Sequence, residues 1–213
     1  MALVLSVIVS ITIGYLSGSL PWGLWLGQWF RGVDVRTVGS KNLGATNVFR
    51  SLGPGLGIAT LLLDVLKGAA PVWIAASLPT AWSFPGGIEA CRIVTGAAAV
   101  AGHVWTIFAG FRGGKGVATT VGVLLAVAPL AFAAFVVVFV ATVAITRYIS
   151  LGSILGAVAF AVTLAFVTTG GVRSPTFVFG VLVAVLVIVR HRDNIGRLVR
   201  GTERKFRFRA ETA

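Results

Sequence analysis

Apolar residues run through this chain in long blocks rather than in the narrow stripes of a soluble helix. Segments at roughly 3–26, 53–78, 91–110, 116–128, 130–146, 150–168 and 177–190 are dominated by Ala, Val, Leu, Ile, Phe and Gly, with short polar or glycine-bearing stretches between them. Most approach the length of about 20 residues that an α-helix needs to cross a bilayer. The pattern predicts an all-α polytopic membrane protein, a single integral membrane domain over 1–213 with about seven transmembrane helices and a basic tail at 191–213. The block at 116–128 is short and Pro129 parts it from the next, so it reads either as a span or as a re-entrant segment. The second block carries Asp64, Lys67 and Pro71, which predicts a kink and an ion pair across one helical turn, with Lys67 able to reach toward the interface.

Composition supports the pattern. Hydrophobic residues make up 57% of the 213 and charged residues only 11%, against about 25% charged in a soluble domain. The first 30 residues hold no charge, so they lack the positive start of a signal peptide and read as a retained span. Cys91 is alone, which excludes an intrachain disulfide. The net charge of +12 is not spread evenly. Alternating the loops puts 15 of the 18 Lys and Arg residues into 31–51, 109–115, 147–149 and 190–213, all on one side. That side is expected to be cytoplasmic, with the N-terminus outside and the C-terminus inside. The charge is then expected to meet anionic lipid headgroups rather than nucleic acid. Gly14, Gly18, Gly23 and Gly27 recur along the first block and predict close helix packing.

Three polar segments fall on the cation-rich side. The first, Gly39 to Arg50, offers Ser40, Asn42, Thr46 and Asn47 as neutral donors, Gly44 for a backbone turn, and Arg50 for a forked phosphate contact. The second, Arg112 to Thr119, places Lys115 among Gly113, Gly114 and Gly116 just before a helix start, where free N–H groups favour an anion. It is not a nucleotide P-loop, because Ala109 stands where the first glycine is required and Gly116, not Ser or Thr, follows Lys115. The third, Arg190 to Ile195, carries His191 and Asn194, which share a face with Leu198 on a continuous helix. His191 suits phosphate contact or base catalysis. Ser150 and Ser153 stand at a span entrance, to cap it or to donate to a ligand. His103, inside a span, reads as a hydrogen-bonded packing residue. No carboxylate or Cys/His cluster has metal-ligand spacing, and neither His has Asp five positions on, so no metal, no cofactor and no His-Asp acyltransferase site is expected. An anion transporter remains open as a rival, although no internal repeat of the kind transporters often show is evident. A lipid-binding scaffold is the third reading.

The motifs Ser17-Gly18-Ser19-Leu20-Pro21, Gly39 through Arg50, Asp64 through Gly68, Gly102-His103, Gly113 through Thr119, Ser150 through Ser153, and Arg190 through Arg197 with Gly201 and Glu203 resemble those of the bacterial acyl-phosphate-dependent glycerol-3-phosphate acyltransferase (PlsY) family. They occur in order along essentially the whole chain. Lys41 departs from the pattern, which has Gly there. The resemblance implies seven membrane helices and a site at the cytoplasmic face of the bacterial inner membrane. It implies acyl phosphate and glycerol 3-phosphate as partners, with lysophosphatidic acid and inorganic phosphate as products. On that basis Lys115, His191, Asn194, Ser153 and Arg50 are the expected catalytic residues. Ser40, Asn42, Gly44, Thr46, Asn47, Lys67, Gly113, Gly114, Gly116 and Ser150 are the expected phosphate-binding residues. Acyl phosphate is already activated, so direct attack without an acyl-enzyme is expected, and a monomer is favoured.

Overall fold

The computed structural model describes residues 2–206, and all the regular structure in them is helical. Ten α-helices follow one another: α1 (Ala2–Ser19), α2 (Trp22–Arg31), α3 (Ala45–Leu52), α4 (Pro54–Ser77), α5 (Gly87–Val104), α6 (Val117–Val127), α7 (Pro129–Thr146), α8 (Ile149–Val167), α9 (Pro175–Arg190) and α10 (Arg192–Val199). They fall into two compact units, the first reaching Ala126 and the second beginning at Val127. Among the described residues five helical segments are long and apolar enough to cross a membrane, or six when the bent pair α9–α10 is taken as one. The difference from the expected seven lies in α6. It has 11 residues, a length of about 16 Å, which is too short to cross about 30 Å of hydrocarbon alone.

The first unit is built on close backbone approach. α1 packs along α5, and α4 packs on both. In lipid there is little hydrophobic drive between helices, so small residues that admit van der Waals contact decide where helices meet. A Cβ on Gly18 would overlap the Ala99 carbonyl of α5, and one on Gly102 would overlap the Tyr15 carbonyl of α1. Gly14 meets α5 in the same way at Thr95, while Gly23 and Gly27 abut the carbonyls of Leu43 and Val33. The glycine spacing therefore reports packing, as the sequence suggests. The first apolar block is not one helix: it breaks at Leu20-Pro21, where proline lacks the N–H that would continue the ladder. α4 runs through Pro71 as one helix. The segment 39–50 is loop only in its first part; Ala45 onward is the first turn of α3, with Gly44 as its N-cap.

In the second unit α7 packs along α8, and α8 along α9. Val137, Ile145, Phe166 and Leu182 are exposed, as expected for helices whose outer surface meets acyl chains rather than water. α9 and α10 meet at a bend of 58°. His191 sits at that bend with φ −101° and ψ 9°. The continuous helix that would place His191, Asn194 and Leu198 on one face is therefore not formed.

Candidate active site

In the first unit, one side chain organises the loop before α3. Asn47 is buried. Its amide nitrogen donates to the carbonyls of Val35 (3.0 Å), Val38 (3.2 Å) and Asn42 (2.9 Å). Its amide oxygen accepts from the Ser40 N–H at 2.8 Å. Gly44 N–H donates to Asn42 Oδ1 at 2.9 Å, closing an Asx turn. Asn47, Asn42 and the amides of Ser40 and Gly44 are thus committed to shaping the loop, where the sequence suggests phosphate donors. Arg50 and Thr46 are half-buried on α3, and the Ser40 side chain is exposed.

The second segment is a turn laid against the end of α5. Gly113 N–H donates to the Val104 carbonyl at 3.1 Å and Gly114 N–H to the His103 carbonyl at 3.1 Å. These bonds cap α5, so neither amide serves the anion in the way the glycine pattern suggests. The glycines are required for closeness: a Cβ on Gly113 would overlap the His103 carbonyl, and one on Gly114 would overlap His103 Nε2. Gly116 follows with φ +82°, a left-handed conformation that favours glycine. α6 then begins at Val117. Lys115 is partly exposed just ahead of that N-terminus, where the helix dipole and unpaired first-turn N–H groups attract negative charge.

Beneath this turn lies a group the sequence offers only in pieces. Lys67 Nζ is 2.7 Å from Asp64 Oδ1 and donates to the Leu20 carbonyl at 2.6 Å. Both charged side chains are buried. The Lys67 ammonium is directed to Asp64 and to the carbonyl that the Pro21 break supplies. His103 Nδ1 lies 3.0 Å from Thr119 Oγ1 and 3.9 Å from Asp64 Oδ1. Thr106 Oγ1 donates to the Ser19 carbonyl. A cavity of about 10 Å³ is lined by Ser19, Asp64, Lys67, His103, Thr106 and Gly114, among others.

The second unit has its own polar centre, and its hub is Glu203. Oε1 accepts from Ser150 Oγ at 2.7 Å and from Asn194 Nδ2 at 2.6 Å. Oε2 accepts from Arg197 Nε at 2.7 Å. Burial pushes the Glu203 carboxyl up, but the hydrogen bonds from Asn194, Ser150 and Arg197, with the charge of Arg197, outweigh it and hold the group below its ordinary range. Ser150 and Asn194, expected to meet phosphate, direct these donors to a carboxylate. Ser153 Oγ donates back to the Ile149 carbonyl one turn earlier, at 2.9 Å. His191 is buried, and its Nδ1 stands 2.7 Å from the Val187 carbonyl. A carbonyl only accepts, so Nδ1 carries a proton and donates it. Glu203 and Thr119 were not among the residues expected to meet substrate, and Asp64 was expected only as the ion-pair partner of Lys67. The one usable signal for Glu203 was an acid set among basic residues in the tail, a position it shares with Asp193 and Glu211.

Fold and geometry define a helical, multi-pass membrane protein with a cationic, glycine-shaped turn in its first unit and a carboxylate hub in its second. The chain belongs to the glycerol-3-phosphate acyltransferase family, whose model matches residues 8–201. It is 47% identical over 204 residues to the glycerol-3-phosphate acyltransferase of Geobacter sulfurreducens, covering 95% of this chain and 99% of that one. It is 42% identical over 205 residues to that of Desulforudis audaxviator, covering 96% and 98%. Two crystal structures of PlsY, an integral membrane glycerol 3-phosphate acyltransferase, share the fold. The glycerol 3-phosphate form has a TM-score of 0.82 and 37% identity, and the lysophosphatidic acid form 0.78 and 35%; each match covers 95% of this chain and 96% of the other.

Proposed function

We propose that this acyltransferase moves a fatty acyl group from acyl phosphate to the 1-hydroxyl of glycerol 3-phosphate. The products are 1-acylglycerol 3-phosphate (lysophosphatidic acid) and inorganic phosphate. The observation that carries the reading is the turn at 113–116, which delivers Lys115 to the N-terminus of a helix in a chain whose structural relatives are described with glycerol 3-phosphate and lysophosphatidic acid. The hydroxyl oxygen attacks the acyl carbon, the bond from that carbon to the phosphate oxygen breaks, and phosphate leaves. The substrate is a mixed anhydride with a good leaving group, so no acyl-enzyme is needed. Alignment and charge stabilisation supply the rate. Lys115 and the first turn of α6 hold a phosphate, and Arg50 offers a second, forked contact. The hydroxyl proton passes to a phosphate oxygen of the substrate. The excess of cations on one side of the expected spans supports a site at the cytoplasmic face of the bacterial inner membrane.

The test is phosphate release by purified protein in detergent, with palmitoyl phosphate supplied with and without glycerol 3-phosphate, and with palmitoyl-CoA in place of the acyl phosphate. Release that requires both phosphorylated substrates, and a loss of at least about hundredfold in Lys115→Ala, is expected. Acylation from the thioester alone would overturn the donor assignment.

A further inference from the structure

His103 is not accounted for by helix packing alone. Its main-chain carbonyl receives the Gly114 N–H, and its ring is pressed so closely on Gly114 that no side chain fits between them. The opposite side of the ring meets Thr119 Oγ1 at Nδ1 and faces Asp64 Oδ1. Asp64 is in turn fixed by Lys67, which reaches the Leu20 carbonyl at the end of α1. Ser17 Oγ adds a bond to the Lys67 carbonyl at 3.0 Å. A rigid ring therefore stands between a buried ion pair and the turn that carries Lys115.

We propose that His103 is a positioning residue: its imidazole is the spacer that sets the distance between the Asp64–Thr119 side of the bundle and the Gly113–Lys115 turn, and thereby aims the Lys115 ammonium. This rests on the reading of that turn as a phosphate site. A packing residue of the same volume would fill the space without the directional bond to Thr119. A polar partner without the ring would leave Gly114 unsupported. Imidazole does both, and glycine at 114 is the complementary half of the device.

The experiment is a double-substitution cycle on the full-length protein in detergent, read as KM and kcat for each phosphorylated substrate alongside thermal unfolding. His103→Ala is expected to raise KM for at least one of them about tenfold or more, because small misplacement of a binding group is costly, while kcat falls less. His103→Asn retains a partner for Thr119 and is expected to recover part of that loss. Gly114→Ala puts a methyl where the ring stands and is expected to raise the same KM. In the His103→Ala or His103→Asn background the overlap is gone, so Gly114→Ala should add less than about twofold. Gly113→Ala meets a backbone carbonyl instead and should not be relieved by either substitution. Should His103→Ala not fold, the Asn variant carries the cycle. If the effects of Gly114→Ala and the His103 substitutions simply multiply, the spacer role is overturned. Lys115→Ala separates the two layers. If it leaves both KM values unchanged, the phosphate reading fails, whereas suppression between 103 and 114 still reports on positioning.

Discussion

Each unit has one buried side chain that gathers a loop, and the two use opposite chemistry. In the first, Asn47 ties three carbonyls and one amide together without net charge. In the second, Glu203 draws Ser150, Asn194 and Arg197 onto a carboxylate. A neutral hub holds its loop at any ordinary pH and fails only when the amide is removed. An ionised hub is stronger per bond, because charge-assisted hydrogen bonds are shorter and firmer, but it depends on remaining ionised. Difference in kind, not in number of bonds, is what should separate the behaviour of the two regions.

The largest effect is expected at the neutral hub. Asn47→Leu fills the space but strands the Val35, Val38 and Asn42 carbonyls and the Ser40 N–H. It should cost about 3 kcal/mol or more, since each buried group left unpaired costs roughly 1–3 kcal/mol, and thermal unfolding in detergent would show it. Equal stability of Asn47→Leu and wild type would break the comparison. Glu203→Gln should cost about 2 kcal/mol through weakened bonds to Arg197, Ser150 and Asn194, and it should also change the acid limb of stability. The folded carboxyl is held below its ordinary value of 4.5. Its contribution is therefore complete above about that value and is lost as pH falls through the depressed one. Wild type should lose stability over that acid window more steeply than Glu203→Gln; parallel curves would remove Glu203 as an ionised hub. The smallest effect is expected where the same ion pairing is left in water. Arg36 and Asp34 approach to 2.7 Å, with side chains 42% and 28% exposed. Asp34→Asn should shift stability by no more than about 0.5 kcal/mol, and a larger shift would mean that exposure is a poor guide to what these pairs contribute.

Much of the architecture was legible because apolar block length and glycine spacing are direct records of bilayer thickness and helix contact. The helices from Pro54, Val117, Pro129, Ile149 and Pro175 begin within a few residues of where the pattern places them. The site was less legible. Ser40, Asn42 and Asn47 were read as donors to a phosphate, but a sequence does not tell whether a donor faces a ligand or a loop carbonyl. Gly113 and Gly114 have the composition of an anion cradle, yet their N–H groups cap α5. The expected first span ran through Pro21, where the helix breaks, and the consequence, an acceptor for Lys67, depends on a helix met 47 residues later. His191 lost its helical face to a bend that no proline or glycine marks.

The ion pair on α4 also bears on how the chain enters the membrane. A lone charge at mid-bilayer in an isolated helix costs about 2.5–3.5 kcal/mol on insertion scales. Asp64 is followed one turn later by Lys67, so the segment enters the bilayer as a neutral pair rather than as two separate penalties. The acceptor that completes the arrangement, the Leu20 carbonyl, belongs to a segment synthesised earlier. The order of synthesis thus matches the order of need: by the time the charged helix arrives, the residue that receives its ammonium has already been made.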